Sequence, residues 1–194
     1  MTAKADTAHS DTRPGDCLTQ RIVTHPTGRL LLETLTHDNM STDYLTWLQD
    51  PEVIKYLEVR HTVRSDDTIR EFVQDMLMST DDLLMGIFLK KERRHIGNIK
   101  LGPVNWRERR AFIGLMIGDK TCWGKGYATE AIDGMCYVAF DVLALKRVEA
   151  GAYVSNKRSI KAFLNADFSR EEVRKGQYSL DGHPEDHVIL GRVA

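Results

Sequence analysis

The stretch TCWGKGYATEAIDGMCYVAFDVLAL, residues 121–145, places two glycines and an alanine at alternate positions ahead of a long amphipathic segment. Gly124 and Gly126 stand where a helix is predicted to begin, and a helix N-terminus carries unpaired N–H groups and a partial positive charge. Without side chains at these positions a phosphate can approach those N–H groups, and Lys125 adds a cation. The pattern predicts a phosphate-binding turn, with a glycine turn that only packs the helix against a sheet as the alternative.

Two familiar phosphate-binding loops do not fit this stretch. A P-loop requires Gly-Lys-Ser/Thr, but Lys125 is followed by Gly126 and Tyr127. A dinucleotide-binding fingerprint requires a third glycine and a long parallel βαβ fold, and too few residues follow Gly126 in the 194-residue sequence.

The composition is that of one folded domain. The 194 residues are 42% hydrophobic, and 27 basic against 28 acidic residues give a net charge of −1, which argues against nucleic-acid binding. The three cysteines lack metal-ligand spacing, so we expect reduced thiols, no metal site and a cytoplasmic location. Residues 1–28 are polar and lack an apolar signal core, which predicts a flexible tail, no membrane association and a single domain over 29–194.

The first half of that domain reads as one strand, two helices and a hairpin. The strand is predicted at 29–36, and the helices are predicted to be capped by Ser41 and Ser65. The charged KERR segment at 91–94 separates two apolar runs, which predicts a hairpin.

The second half alternates strands and helices. A continuous apolar run at 109–118 predicts a strand buried on both faces, and the helix after the glycines has a predicted buried stripe that includes Val142. A strand at 147–154, a short helix and a closing hairpin follow. The order β-α-α-β-β-β-α-β-α-β-β predicts a mixed α/β (α+β) fold.

Two segments of this half resemble a known family. WGKGYATEA after an apolar strand, followed by VSNKRSIKAFLNADF, resembles the acyl-CoA-binding core of the GNAT N-acetyltransferase superfamily. The most similar branch contains the ribosomal-protein alanine N-acetyltransferases and related small-molecule N-acetyltransferases. The usual core pattern is Arg/Gln-x-x-Gly-x-Gly/Ala; here Trp123, Gly126 and Ala128 hold the first, fourth and sixth places. The resemblance covers the chain from Arg29 onward and implies a mostly antiparallel sheet with splayed central strands and helices on both faces.

The resemblance implies acetyl-CoA as cosubstrate and a set of residues that hold it. Backbone N–H groups of the glycine turn would bind the pyrophosphate, the end of the preceding strand would pair with the pantetheine arm, and Asn156 would contact the pantetheine region. The residues so implied are Leu115, Met116, Ile117, Trp123, Gly124, Lys125, Gly126, Tyr127, Ala128, Thr129, Asn156 and Ser159.

Acetyl transfer to an amine requires a deprotonated amine, donors for the developing negative charge, and a proton for the thiolate. Many members of the superfamily place a tyrosine seven residues after the asparagine, but Phe163 stands there. The branch instead implies Ser159, three residues after Asn156, as the thiolate's partner, with a purely capping role as the alternative. Glu149 and His183 are the candidate bases, and a water chain with no single base is equally open.

The acceptor side is less defined by the sequence. Arg60, His61 and Arg64, between the early helices, are predicted to meet a phosphate or carboxylate of the substrate, and Trp47 to stack on it; a solvated loop and a core tryptophan are the alternatives.

The predicted function is therefore acetyl-CoA-dependent N-acetylation of a small-molecule primary amine, such as an amino sugar or aminated metabolite. The alternatives are N-terminal acetylation of a protein, a non-catalytic coenzyme A-binding sensor, and an unrelated regulatory domain that binds ATP or NAD. The resemblance also implies a possible homodimer.

Overall fold

Eight strands form one sheet flanked by five α-helices in the computed structural model, which describes residues 18, 24–62 and 65–194. The spatial strand order is β1-β2-β3-β4-β5-β6-β8-β7. The strands are β1 Thr24–Pro26, β2 Leu30–Thr34, β3 Leu83–Leu89, β4 Arg94–Leu101, β5 Arg110–Ile117, β6 Arg147–Tyr153, β7 Ser169–Leu180 and β8 His183–Val193. The helices are α1 Asp43–Gln49, α2 Pro51–Ile54, α3 Asp66–Met78, α4 Tyr127–Tyr137 and α5 Lys157–Leu164. All neighbouring strands are antiparallel except β5 and β6, which confirms the predicted mixed, mostly antiparallel fold.

The sheet begins upstream of the predicted domain boundary at residue 29. Strand β1 pairs with β2, and Leu18 is fully buried with its N–H donating to the Ser79 carbonyl at 3.2 Å. A three-residue strand that ends on Pro26 carries too little periodicity to stand out in a sequence. The boundary therefore moves upstream; the remainder of the predicted tail, residues 1–17 and 19–23, lies outside the described residues.

Helices cover both faces of the sheet, because alternate residues of a strand point to opposite sides. On one face α4 and α5 pack against the larger core, which includes Met85, Ile113 and Val148. On the other face α1 and α3 enclose a smaller core around Trp47 and Phe88. The two cores place the start of α4 on one side of the sheet and the segment around α1 and α2 on the other.

Local sequence explains where the helices begin and end. Ser65 caps α3 as predicted, and its Oγ accepts the Thr68 N–H at 3.3 Å in a capping box. The first helix differs: Thr42 is its N-cap, while the Ser41 Oγ accepts the Asp43 N–H at 3.0 Å. Helix α4 passes into a π-helical turn at 138–142, which shifts the helical phase, so Val142 is 45% exposed instead of buried.

The parallel pair β5 and β6 separates shortly after it starts. Register pairing covers only Arg110–Phe112 against residues 147–149, although β5 continues to Ile117 and β6 to Tyr153. The Phe112 carbonyl accepts the Gly102 N–H at 2.8 Å on the β4 side. Since backbone groups alternate in direction along a strand, those of Ile113, Leu115 and Ile117 face the opening between β5 and β6.

The prediction that β5 is buried on both faces is wrong for one face. Ala111 and Ile113 are buried in the larger core, but Phe112 is 41% exposed and a Cβ added at Gly114 would meet nothing within 4 Å. The apolar run concealed this difference because glycine and phenylalanine both count as apolar. One face of β5 is therefore open at the point where the strands separate.

Candidate active site

The glycine turn leads from the end of β5 into α4. Gly124 has φ +73° and Gly126, the N-cap of α4, has φ +80°, a left-handed backbone that L residues adopt at a cost of about 1–2 kcal/mol. A Cβ added at Gly124 would meet nothing within 4 Å, so the turn is open at that point. The first N–H groups of α4 therefore lie at an exposed turn, where the helix dipole favours an anion.

Trp123 fastens this turn to the end of β5. Its indole Nε1 donates to the Ile117 carbonyl at 2.8 Å, one of the carbonyls that face the strand opening. The guanidinium of Arg158, at the start of α5, lies 5.3 Å from the Trp123 ring centroid. Trp123 therefore joins the strand opening, the glycine turn and α5 into one region.

A second cation reaches the turn from the other end of the chain. The Arg29 Nη1 donates to the Lys125 carbonyl at 2.9 Å, and its guanidinium carbon lies 4.5 Å from the Tyr127 ring centroid. Glu130, in the first turn of α4, accepts from the Arg29 Nε at 2.8 Å and from its backbone N–H at 2.5 Å. Lys125, which is exposed, is the only one of the three nearby cations that the sequence identified; Arg29 and Arg158 were missed.

Glu130 is the centre of a hydrogen-bond network that holds the segment before β2. Besides Arg29, it accepts from the Thr27 Oγ1 at 2.6 Å and from the Leu30 N–H at 3.1 Å. Burial raises the pKa of the Glu130 carboxyl, but the hydrogen bonds from Thr27 and Arg29 outweigh burial and leave that pKa below its usual value. The network therefore fixes Arg29, and with it the glycine turn, by an ionised carboxylate.

The other residues implied at the cosubstrate site lie around the same region. Ala128 and Thr129 lie in the first turn of α4, and the Thr129 Oγ1 donates to the Ala162 carbonyl of α5 at 3.4 Å. Leu115 and Ile117 pack against the larger core, whereas Met116 packs against the smaller one.

Asn156 and Ser159 form the cap of α5. The Asn156 Oδ1 accepts the Ser159 N–H at 3.2 Å, which is the capping arrangement that the sequence left as an alternative. Phe163 is buried in the larger core with its ring centroid 5.0 Å from that of Phe168, so this position serves packing. The roles of Asn156 and Ser159 toward the cosubstrate remain proposals.

The two candidate bases occupy different surroundings. Glu149 lies at the last paired position of β6, where its two oxygens accept from Arg110 at 3.2 Å and Arg147 at 3.1 Å. His183 is exposed at the start of β8, beside the hairpin turn. His187, four residues further, was missed, although its alternation with the buried Val188 predicts that it faces the opposite side of the sheet.

Two of the predicted acceptor residues, Arg60 and His61, line one cavity. Arg60 holds the 3₁₀ turn at 58–61 against β6 and β7, since its Nη2 donates to the Tyr153 hydroxyl at 2.7 Å and to the Ser179 carbonyl at 3.1 Å. His61 is exposed, and Arg64 lies outside the described residues.

The prediction that Trp47 stacks on the substrate is wrong. Its side chain is 8% exposed in the smaller core, and a Cβ on Gly118 would collide with its ring. The large apolar surface of the ring favours burial there, so it is not free to stack on a substrate.

A cavity of about 670 Å³ lies beside Arg60, between the segment at 51–61 and the β7–β8 hairpin. Its lining mixes acidic, basic and aromatic groups. The lining residues are Pro51, Ile54, Lys55, Glu58, Arg60, His61, Tyr178, Ser179, Asp181 and Gly182.

The splayed sheet and the glycine turn define a coenzyme A-dependent acyltransferase fold, and the sequence family agrees. The family described as an acetyltransferase (GNAT) domain matches residues 29–169, and the chain belongs to this family. The superfamily predicted from the sequence is thereby confirmed, and the predicted enzyme class, an N-acetyltransferase, is the class that this family defines.

Relatives of similar sequence are named as N-acetyltransferases. The protein named Probable N-acetyltransferase YjcK of Bacillus subtilis is 33% identical over 118 residues, which are 60% of this chain and 65% of YjcK. The match thus spans slightly under two thirds of that relative's length.

Two solved structures share the fold at low identity. Spermidine N-acetyltransferase from Vibrio cholerae, in complex with coenzyme A and spermine, is 17% identical with a TM-score of 0.76, covering 85% of this chain and 95% of that one. The ribosomal alpha-N-protein acetyltransferase RimL, in complex with coenzyme A, is 17% identical with a TM-score of 0.79, covering 88% and 97%. The fold is therefore compatible with both small-amine and protein acceptors.

Over residues 24–62 and 65–194, no helix is long and apolar enough to span a membrane. Those residues also contain no cluster of three or more histidine, cysteine or acidic side chains arranged for a metal ion. The cytoplasmic location and the homodimer stay predictions.

Proposed function

We propose that this protein is an acetyl-CoA-dependent N-acetyltransferase that acetylates the primary amine of a small molecule. The observation that carries the proposal is the separation of β5 from β6 after Phe112, immediately beside a glycine turn that opens onto the start of α4. A parallel sheet that loses its pairing in the middle leaves backbone groups to be satisfied by another partner.

The residues at this opening suit coenzyme A. Residues 123–129 would hold the pyrophosphate with the first N–H groups of α4, supported by the positive charges of Lys125, Arg29 and Arg158. The backbone groups of Leu115 and the N–H of Ile117 face the opening and would pair with the pantetheine arm in the manner of a neighbouring strand. Acetyl-CoA supplies the activated thioester.

The chain's own groups would then serve the acetyl transfer. The backbone N–H of Leu115 or Ile117 is directed into the opening, where it would stabilise negative charge that develops on the thioester oxygen. Ser159, half-buried at the start of α5, would donate a proton to the departing thiolate, with Asn156 fixing the helix turn on which it stands.

A small-molecule acceptor is favoured by the cavity beside Arg60. Its volume of about 670 Å³ falls within the range of small-molecule sites, and its lining carries Glu58 and Asp181 as well as Lys55 and His61. Such a mixed lining suits an amine that also carries another polar group, whereas basic protein tails are better met by a predominantly acidic groove.

Calorimetry of acetyl-CoA against the wild type, Gly126→Glu and Gly126→Ala tests the cosubstrate site. Both substitutions strain the backbone at φ +80°, but only glutamate adds a bulky negative charge at the start of α4. We expect binding on the order of micromolar for the wild type, a loss of about 100-fold or more in Gly126→Glu and a much smaller loss in Gly126→Ala. Absence of wild-type binding would overturn the proposal and leave the glycine turn as helix packing.

Release of free thiol with a panel of amines tests the acceptor. The panel contains an amino sugar, a polyamine and a peptide with a free N-terminus. Turnover with small amines supports the proposal, and turnover confined to the peptide would establish protein N-terminal acetylation instead. Acetyl-CoA binding without turnover on any amine would indicate a coenzyme A sensor.

A further inference from the structure

Two glycines stand at the same level on the two strands that separate. The last register pair of β5 and β6 joins Phe112 to Glu149, so two residues further along each strand are Gly114 and Gly151. A Cβ at Gly114 would meet nothing within 4 Å, whereas one at Gly151 would lie 2.7 Å from the Nε2 of His187. On the β5 side of the opening, no side chain fills the space at this level, whereas on the β6 side the His187 imidazole covers the backbone.

The protein fixes this imidazole in place through its neighbours. His187 pairs with Tyr153 across β6 and β8, and the centroids of the two rings lie 6.1 Å apart, edge to face. Tyr178 of β7 meets the same imidazole edge to face at 4.9 Å. The His187 ring therefore contacts Gly151 and one tyrosine on each of two neighbouring strands. These three contacts leave the side chain little rotational freedom.

The hydrogen bonding of His187 differs from that of a structural histidine. His95, buried on β4, has both ring nitrogens engaged: Nδ1 accepts the Ser41 N–H at 3.1 Å, and Nε2 lies 2.9 Å from the Gly97 carbonyl and 2.9 Å from the Asn98 Oδ1. In His187, by contrast, Nδ1 is buried and has no hydrogen-bond partner in the described part of the chain. An unpaired buried ring nitrogen of this kind is uncommon in a side chain that serves packing alone.

The charges around His187 favour its neutral form. Burial lowers the pKa of His187, and the nearby Arg174 of β7 lowers it further, while Glu58 of the 3₁₀ turn acts in the opposite direction. The other groups that face the ring are the hydroxyl-bearing Tyr153 and Tyr178. Since the net pKa lies below the usual value, the imidazole is uncharged at pH 7 and able to accept a proton.

We propose that His187 is the catalytic base of the acetyl transfer, and that the acceptor amine occupies the bare space over Gly114 opposite it. This assignment rests on the proposed N-acetyltransferase function. The amine nitrogen forms a bond to the thioester carbonyl carbon, the carbon–sulfur bond breaks, and the thiolate takes a proton from the Ser159 hydroxyl, which regains one from water. The nitrogen loses its proton to the imidazole, which later passes it to water.

The test compares amine-dependent thiol release by the wild type, His187→Gln, His187→Asn and His183→Gln, with His37→Gln as the control. His37 is half-buried on the α3 side, where its Nε2 lies 3.0 Å from the Arg70 carbonyl. We expect kcat/KM to fall about 100-fold or more in both His187 variants, with acetyl-CoA affinity by calorimetry and circular dichroism unchanged. His37→Gln keeps wild-type turnover.

The pH profile provides a readout that a packing role would not change. The wild-type kcat/KM should fall more steeply below the lowered pKa of His187, where the imidazole becomes charged, and this steeper limb should disappear in His187→Gln. Wild-type turnover that survives in the His187 variants with the same pH profile overturns this inference alone. If kcat/KM falls in His183→Gln and not in the His187 variants, His183 is the base. A wild type that binds acetyl-CoA without turnover overturns both proposals.

Discussion

Replacing Glu130 by alanine removes the carboxylate that joins the segment before β2 to the start of α4. Four donors lose the Glu130 carboxylate as acceptor: the Thr27 Oγ1, the backbone N–H groups of Arg29 and Leu30, and the Arg29 Nε. Thr27 and Leu30 keep the hydrogen bonds between them. Among the residues that the structure describes, the Lys125 carbonyl and the Tyr127 ring then remain to hold the Arg29 guanidinium against the glycine turn.

The size of the effect follows from the exposure of these donors. The Thr27 and Leu30 donors are partly buried, and a hydrogen bond to a charged acceptor contributes about 1.5–3 kcal/mol. Both bonds to Arg29 are exposed, its side chain being 53% exposed, so the ion pair adds at most about 1 kcal/mol. Allowing for water replacing part of the network, we expect a loss of about 2–3 kcal/mol in the free energy of unfolding and a drop of about 4–12 °C in Tm.

Thermal unfolding at pH 7 measures this loss, with Glu172→Ala as the matched control. Glu172 also pairs with an arginine, at 3.0 Å from the Arg174 Nε, but both side chains are about half exposed, so its removal should cost much less stability than that of Glu130. The folded-state pKa of Glu130 is lowered, so its contribution is complete above the unfolded pKa near 4.3 and disappears as the pH falls through the folded value. The difference between wild type and Glu130→Ala should therefore shrink below about pH 4.

A Tm of Glu130→Ala that matches the Glu172→Ala value at pH 7 would refute this reasoning, because the network would then contribute no more than a surface ion pair. The cosubstrate provides a second measurement. If Arg29 supports the turn, the Kd for acetyl-CoA rises in Glu130→Ala at a temperature where the variant is fully folded. An unchanged Kd would confine the network to stability.

Two further outcomes are expected from the buried side chains. Trp47→Ala should lower the free energy of unfolding by about 3–5 kcal/mol by leaving a cavity beside Gly118, whereas Phe72→Ala, at a 37% exposed position, should cost much less in the same denaturant titration. Burial raises the pKa of the Cys136 thiol to about 12. In peptide mass mapping at pH 8, a thiol reagent should therefore leave Cys136 unmodified in the native protein and modify it after unfolding. Labelling of Cys136 in the native protein would show that the helix opens there.

The sequence predicted the overall fold well because its signals were local. The capping box at Ser65, the apolar period of the helices and the hairpin at KERR each depend on neighbouring residues, and each is present in the structure. The glycine turn was located for the same reason, although the left-handed backbone at Gly124 and Gly126 explains those residues as fully as ligand access does.

The acceptor side was predicted poorly because it depends on contacts between distant segments. Trp47 lies in an apolar helical stripe, which had left a core position as the alternative, and it packs against Gly118. Arg60 lies in a polar segment, and no local pattern reveals its bond to Tyr153. Strand alternation places His187 on the face opposite the buried Val188, but it places His183, four residues earlier, on that same face, so only the contact with Gly151 separates the two histidines.

The contact between Arg29 and Glu130 also has a consequence for how the protein is made. Its two partners are 101 positions apart in the chain, so the loop between them must close before Arg29 reaches the glycine turn. During synthesis the N-terminal strands exist long before α4 emerges, and contacts of such long range form slowly. Maturation of the cosubstrate turn is therefore a late event in folding, and acetyl-CoA affinity reports on nascent chains that have completed the whole domain.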